Sequence, residues 1–279
     1  MNSTNCSINP REAEAFRVLK LVVGVLCIGG AKPLLEGRGE MLEWIVHLNG
    51  RAAAVGSLLA LLLVGVGVAL LFGVYRGCRW CRLLAWLGWG LLPIVVIYFL
   101  ANALCHWQQD SGNPINQGAL LNHAVRYGAP AVLFVWMGPW RKGVEMLGDR
   151  WVWVLRGVVS VTFLGHGLNM LQGSPSHVEL IQKILENLLG QEVSVQTGET
   201  VLDVIGCMDV ALAVLLLIRP WRQVVMWMAF LGFAAAASCL GAYGWGGGWD
   251  KAAVRIANGG VPLVVWMLWT GAFNAQSKL

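Results

Sequence analysis

Charged residues are scarce in this sequence. Only 13% of its 279 residues are Asp, Glu, Lys or Arg, whereas 57% are hydrophobic. A soluble domain of this length needs more polar surface than these residues supply. The polar residues also fall in short segments, none of which is long enough to fold as a soluble domain. The sequence therefore predicts a single membrane domain, with the lipid bilayer as its first partner.

The sequence has little that indicates nucleic-acid binding or a disulfide framework. Its net charge of +5 comes from basic residues spread over several short loops, without a common face. The seven cysteines are an odd number, and several lie inside apolar runs, so no disulfide framework follows. Cys78 and Cys81 have the spacing of a redox motif or of half a zinc site, but no second pair completes four ligands. No nucleic-acid partner and no metal are predicted.

Long apolar runs are what the sequence has in abundance. Eight of them approach the roughly 20 residues that a helix needs to cross the hydrocarbon core. They lack the two-residue alternation of barrel strands, so they predict helices. The runs are 16–31, 52–75, 83–104, 119–138, 152–171, 201–218, 223–243 and 252–273.

The distribution of lysine and arginine predicts the orientation in the membrane. Arg76, Arg79 and Arg82 fill one short loop, and other basic residues concentrate in every second loop after it. Loops rich in Lys and Arg face the cytosol. The alternate loops are acidic or nearly neutral, and the longest of them is 172–200. The pattern predicts a protein of the inner or plasma membrane with both termini in the cytosol.

An internal repeat divides the eight runs into two sets of four. Residues 18–35 align without a gap on 154–171, and the Gly-Ala-Pro of 128–130 matches the Gly-Val-Pro of 260–262. Each first helix is followed by a segment with helical hydrophobic spacing, at 41–48 and at 178–188, which predicts a short amphipathic helix on the outer side. The predicted fold class is an all-α membrane protein of eight transmembrane helices, arranged as two parallel-related four-helix bundles.

The repeat also predicts the boundaries of the units. They are a cytosolic N-terminal segment at 1–15, a first four-helix unit at 16–138, a cytosolic linker at 139–151, a second four-helix unit at 152–273 and a cytosolic tail at 274–279.

Ionisable residues inside the predicted spans are the functional candidates, because a charge in hydrocarbon costs at least a few kcal/mol. His166, Asp209 and Arg255 lie at similar depths in the outer half of the second unit, so they are expected to form one cluster. Asn169 and Asn258 each follow a member of the cluster by three residues and are expected to join it. In the first unit, which lacks the carboxylate, the secondary candidates are His123 and Arg126.

Two interpretations of the cluster stay open. In the first, it binds a ligand, and the carbonyl of Asn258, which Pro262 frees from helical bonding, is a further ligand group. In the second, Asp209 and Arg255 form a buried structural ion pair. Haem ligation by the histidines is disfavoured, because no attachment motif or paired spacing is present.

Several short motifs of the second unit together resemble the DoxX-like family of integral membrane proteins. They are Arg156-x8-Gly165-His166-Gly167-Leu168-Asn169, the amphipathic segment after it, Gly206-x2-Asp209 and Arg255-x6-Pro262. The resemblance covers the second unit well and the first faintly, and it implies a tandem of the four-helix unit of that family. The roles described for the family include a quinone-reducing thiosulfate oxidoreductase subunit and membrane partners of redox enzymes.

Two functions follow as hypotheses. The first is a membrane subunit of a redox-linked complex that binds a quinone or similar lipid-soluble molecule in the outer half of the second unit. There His166 would hydrogen-bond a carbonyl, Asp209 would orient or exchange a proton, and Arg255 would hold Asp209 ionised. The second is a non-catalytic assembly or anchoring subunit of a larger membrane complex. Both imply other membrane protein subunits as partners.

Overall fold

Every regular element of the described structure is a helix. The computed structural model describes residues 10–37, 52–73, 79–109, 118–138, 149–173, 175–218 and 221–276. The all-α class predicted from the sequence is confirmed within these ranges. The helices are α1 (Pro10–Leu35), α2 (Ala52–Phe72), α3 (Arg79–Gln109), α4 (Ala119–Asn122), α5 (Ala124–Met137), α6 (Asp149–Leu171), α7 (Pro175–Leu189), α8 (Val195–Ile218) and α9 (Arg222–Gln276).

Six of the described helices are long and apolar enough to cross a membrane: α1, α2, α3, α6, α8 and α9. The 21 residues of α2, for example, include no charged side chain. At 1.5 Å per residue α2 is about 31 Å long, which matches the thickness of the hydrocarbon core. Many large apolar side chains on these helices are exposed, among them Leu58, Ile97 and Ile218. Exposed apolar surface on this scale indicates a membrane protein.

The run predicted as one helix at 119–138 is interrupted. His123, with φ −101° and ψ 7°, separates α4 from α5. The amide of Val125 donates to Oγ1 of Thr162 on α6 at 3.0 Å, and the hydroxyl of Tyr127 donates to the carbonyl of Leu120 at 2.9 Å. Backbone groups at the break therefore find partners outside the helix. The expected single helix is wrong, and α5 alone is shorter than a full crossing.

The runs predicted at 223–243 and 252–273 are the two helical arms of α9, which meet at the non-helical residue Gly244. Gly244 has φ 65° and ψ 178°, a backbone conformation that favours glycine. A Cβ at Gly232 would overlap the backbone of Asn258, and a Cβ at Gly248 would overlap that of Cys239. The two arms of α9, 222–243 and 245–276, therefore fold back on each other and pack closely.

The helices pack around one apolar core that includes buried side chains of α1, α2, α3, α5, α6, α8 and α9. α1 packs on α2 and on α9, α3 packs on α2 and α5, and α6 packs on α8. The amphipathic segment predicted in the second half is α7, which contacts α8 and α9. The amphipathic segment predicted near 41–48 and the side chains of Cys78 and Cys81 lie outside the described residues.

Candidate functional site

A cavity of about 480 Å³ lies within the second half of the chain. Its walls come from α6, α7, α8 and both arms of α9, and most of the wall side chains are apolar. Cavities that are largely apolar and carry a few convergent polar groups are typical of small-molecule sites. Six polar side chains line this cavity: His166, His177, Asp209, Ser238, Arg255 and Asn258.

The close crossing of α6 and α8 brings His166 and Asp209 to the cavity. A Cβ at Gly167 would lie 2.7 Å from the carbonyl oxygen of Gly206, and a Cβ at Gly206 would lie 2.9 Å from the carbonyl oxygen of Gly167. Small residues allow this approach between membrane helices. His166 is adjacent to the first glycine and Asp209 follows the second by three residues, so both lie beside the crossing.

The packing of the two arms of α9 brings Arg255 and Asn258 to the same cavity. Nδ2 of Asn258 lies 3.4 Å from Nε2 of His166, so α9 and α6 are in polar contact there. The carbonyl of Asn258 packs against Gly232 on the other arm. The expectation that this carbonyl is a ligand group is therefore not supported, whereas the Asn258 side chain does line the cavity.

Asp209 and Arg255 do not form the expected ion pair. Asp209 is buried, with 6% of its surface exposed. Its carboxyl group makes no hydrogen bond or ion pair with any residue that the structure describes. Arg255 instead donates to the carbonyl of Lys251, one turn earlier on α9, at 3.4 Å. The prediction that Arg255 holds Asp209 ionised is wrong, because the guanidinium is directed to its own helix.

Asn169 is the predicted member of the cluster that lies away from the cavity. It is buried, but its amide oxygen lies beside Gly118, where a Cβ would be 2.7 Å from it. Residues three apart on a helix are rotated by about 60° relative to each other, and α4 packs against α6 in that sector. Asn169 therefore faces the first half of the chain, while His166 faces the cavity.

The secondary candidates His123 and Arg126 lie at the start of α5, next to the cavity residues rather than among them. His123 contacts His106 of α3 edge to face, with ring centroids 5.3 Å apart. It also lies close enough to His166 and Arg255 for electrostatic interaction. Rings in edge-to-face contact leave no space for a porphyrin between them, so this pair does not have haem-ligand geometry.

His177 is a cavity residue that the sequence analysis missed. It lies on α7, and its ring centroid is 6.4 Å from that of His166. Burial, and next the Arg255 cation, lower the pKa of His177 from 6.5 to about 4. The imidazole is therefore neutral at pH 7. His177 lies outside the apolar runs that supplied the candidate residues. The amphipathic segment at 178–188, which it directly precedes, is the sequence feature that indicates its position.

Contacts between α7 and the bend of α9 close one side of the cavity. Nδ2 of Asn187 donates to the carbonyl of Gly241 at 2.8 Å. The ammonium group of Lys183 on α7 lies 5.1 Å from the ring centre of Tyr243 at the bend, and Lys251 of α9 lies on the same ring at 3.7 Å. These contacts hold α7 in place, and its Leu180, Ile181 and Ile184 side chains form part of the cavity wall.

The chain matches no family model, no curated protein and no solved structure. Within the described residues, no group of three or more His, Cys, Asp or Glu side chains is placed to hold a metal ion. The resemblance to the DoxX-like family stays a prediction from short motifs, and function is inferred from the residues around the cavity.

Proposed function

We propose that this chain is an integral membrane subunit of a redox-linked complex that binds a quinone or a similar lipid-soluble molecule in the cavity of its second half. One observation carries this proposal: His166, Asp209, Arg255 and Asn258, from three helices, line a cavity whose other walls are largely apolar. Such a cavity suits a molecule with an apolar body and a polar head. Ionisable groups within a membrane are costly, and recognition of a polar head accounts for that cost.

The polar residues have distinct chemical roles in this proposal. Arg255 presents N–H donors to an oxygen of the ligand head. The neutral imidazole of His177 offers one donor and one acceptor, and the ring of His166 carries an N–H donor in either protonation state. Asp209, which no described residue bonds, is available to exchange a proton with the ligand. The interconversion of quinone and hydroquinone requires such proton exchange.

We infer a tandem of two four-helix units behind this cavity, with eight crossings and cytosolic termini. Contacts between the halves support the tandem because they occur in equivalent pairs. Gly29 of α1 packs against Ala253 of α9, and Gly165 of α6 packs against Leu121 of α4. Gly29 aligns with Gly165 in the repeat. Leu121 and Ala253 are equivalent positions, because each lies the same number of residues before the matched proline of its own half.

A second pair of contacts follows the same rule. Gly260 packs against Val22, and Gly128 packs against Val158. Gly128 aligns with Gly260, and Val22 aligns with Val158. Reciprocal contacts of this kind are expected where two equivalent units meet across a two-fold axis. They support parallel-related units in which the first helix of each packs on the last helix of the other.

Two aligned cations support the same helix order in both units. Nζ of Lys20 donates to the carbonyl of Gly73, just after α2, at 2.7 Å. The guanidinium of Arg156, which aligns with Lys20, donates to the carbonyl of Leu216 near the end of α8 at 2.6 Å. Carbonyls at a helix C-terminus lack helical partners, and the helix dipole favours a cation there. Each cation therefore caps the next long apolar helix of its own half, which is α2 for Lys20 and α8 for Arg156.

Identification of the molecule that copurifies with the protein tests the binding function. The protein would be purified in a mild detergent, and bound small molecules would be extracted and identified by mass spectrometry. We expect a lipid-soluble molecule with a polar head in wild-type protein. Ala235→Trp, which places an indole in the cavity wall, should remove it. Ala211→Trp, on the exposed side of α8, should retain it.

The second candidate function is that of a non-catalytic assembly or anchoring subunit. The observation that favours it is an ion pair between the halves, in which Nζ of Lys32 lies 2.9 Å from Oδ1 of Asp250. Nζ of Lys32 also donates to the carbonyl of Gly246 at 3.1 Å. These partly buried charges have a structural role in fixing α1 to α9. Copurification of stable partner chains without any bound small molecule would favour this function over the first.

A further inference from the structure

The polar part of the cavity wall contains hydrogen-bond acceptors that no described residue satisfies. The carboxyl group of Asp209 makes no hydrogen bond there, and its Oδ1 is fully buried. Oδ1 of Asn258 is also buried and has no hydrogen-bond partner, while Nδ2 of the same amide faces His166. Both groups accept hydrogen bonds in every protonation state, because a protonated carboxyl keeps its carbonyl oxygen and an amide oxygen only accepts.

The cation in the cavity wall, Arg255, does not supply the missing donor. Arg255 makes no ion pair with Asp209 and donates to the Lys251 carbonyl. A buried acceptor without a donor has lost its hydration and gained nothing in return. A ligand that brings an O–H group into the cavity recovers that loss. A ligand whose head carries only acceptors leaves Oδ1 of Asn258 without a donor and bonds Asp209 only when that carboxyl group is protonated.

We propose that the cavity selects a hydroxyl-bearing ligand, so that the chain binds the hydroquinone form of its ligand in preference to the quinone form. This inference rests on the proposed function and narrows it. A hydroquinone head carries two O–H donors, one of which bonds Asp209, and its hydroxyl oxygens still accept from Arg255. A quinone head carries two carbonyl oxygens and no donor. The selection is a difference in binding and needs no electron transfer.

Three probes with the same alkyl tail test the selection on the full-length protein. They are 2-decylhydroquinone, 2-decyl-1,4-benzoquinone and 2-decyl-1,4-dimethoxybenzene, each titrated anaerobically into protein in mild detergent and followed by calorimetry. The dimethoxy compound has no donor and is not readily oxidised, so it separates the effect of the donor from that of redox state. We expect the hydroquinone to bind at least about tenfold more tightly than the other two, equivalent to about 1.4 kcal/mol.

Two variants locate the selection within the site. Asp209→Asn introduces an amide N–H₂ donor in nearly the same volume, so the preference should fall to about threefold or less. Asp203→Asn, on the exposed side of the same helix, should keep the wild-type preference. The comparison of the three probes on wild-type protein stands even where Asp209→Asn does not fold.

The outcomes separate this inference from the proposed function. Equal affinities, or tighter binding of the quinone, would overturn the selection and leave the proposed function in place. An unchanged preference in folded Asp209→Asn would overturn the assignment of the selection to Asp209. Failure of wild-type protein to bind any of the three probes would overturn the proposed function and the inference together.

Discussion

Replacement of Asp209 by leucine is expected to stabilise the protein. The carboxyl group is buried, with 6% of the residue surface exposed, and makes no hydrogen bond to a described residue. A buried polar group left without a partner costs about 1–3 kcal/mol. Burial of a leucine side chain inside a membrane protein adds packing contacts but little hydrophobic free energy, because lipid and detergent are equally apolar. The adjacent cavity of about 480 Å³ accommodates the larger side chain.

The net stabilisation expected for Asp209→Leu is about 2 kcal/mol, because repacking of the wall offsets part of the gain. Asp250→Leu provides the contrast. Asp250 is also buried, but its Oδ1 lies 2.9 Å from Nζ of Lys32. Removal of one partner of a buried ion pair typically costs 3–5 kcal/mol, and about 3 kcal/mol is expected here. Two buried aspartates of the same half are therefore predicted to have effects of opposite sign.

Thermal unfolding in detergent, followed by circular dichroism on ligand-free protein, measures both effects. Asp203→Leu, at an exposed position on the helix of Asp209, should change the free energy of unfolding by no more than about 0.5 kcal/mol. The reasoning is refuted if Asp209→Leu lowers the unfolding midpoint as Asp250→Leu does. That result would make Asp209 a structural residue and remove the main support for a ligand site.

Three further predictions concern other parts of the molecule. Arg156→Met should destabilise by about 3 kcal/mol in thermal unfolding, because the guanidinium bonds a helix-terminal carbonyl and stacks on a tryptophan. Arg150→Met, at an exposed position, should have little effect on stability. Equal destabilisation by the two substitutions would contradict the structural role of Arg156. Stability should fall as the pH drops from 6.5 towards 4, because unfolded His177 binds a proton with its ordinary pKa whereas the folded pKa is about 4. The free energy of unfolding should fall by up to about 3 kcal/mol over this range. An equal fall in a His177→Gln variant would refute the assignment of the pH dependence to His177. A reporter enzyme active only outside the cytosol should work when fused after residue 190 and fail after 147, and the reverse would refute the orientation.

The apolar runs predicted where helices lie better than where they begin. The run at 201–218 became α8, which begins at Val195. The hydroxyl of Ser194 accepts from the amide of Thr197 at 3.1 Å, so it caps the helix before the apolar residues begin. Hydropathy records where side chains prefer lipid, whereas a helix ends where its backbone groups find other partners. The two boundaries differ wherever a helix extends beyond the hydrocarbon.

The composition of the candidate site was partly predictable for a related reason. The number of residues between a side chain and the end of its span gives its depth in the membrane, and similar depths predicted that His166, Asp209 and Arg255 lie together. Rotation about the helix axis and the direction of each side chain depend on how the helices cross. The apolar runs predicted a break between 243 and 252, but the crossing at Gly167 and Gly206 and the packing of the two arms of α9 are tertiary features without a local signal. The absence of the expected ion pair follows from them.

The first half has a different structure where the second half has its cavity. In the proposed repeat, His166 aligns with Gly30. A Cβ at Gly30 would lie 2.9 Å from the ring of Phe99, so that ring occupies the space next to it. The hydroxyl of Tyr98 donates to the carbonyl of Gly30 at 3.2 Å. Aromatic side chains of α3 therefore pack against the position that corresponds to the histidine of the candidate site.

The contrast between the halves favours a ligand over a structural role for the polar cluster. Cations with a structural role, Lys20 and Arg156, occupy aligned positions in the two halves, and each donates to a backbone carbonyl. Asp209 aligns near Leu59, so its carboxyl group has no counterpart, and no described residue satisfies it. If the cluster only fixed the register of the helices, packed apolar residues would do so with greater stability. An unsatisfied carboxyl group that lies beside a cavity in one half alone supports the proposed ligand site.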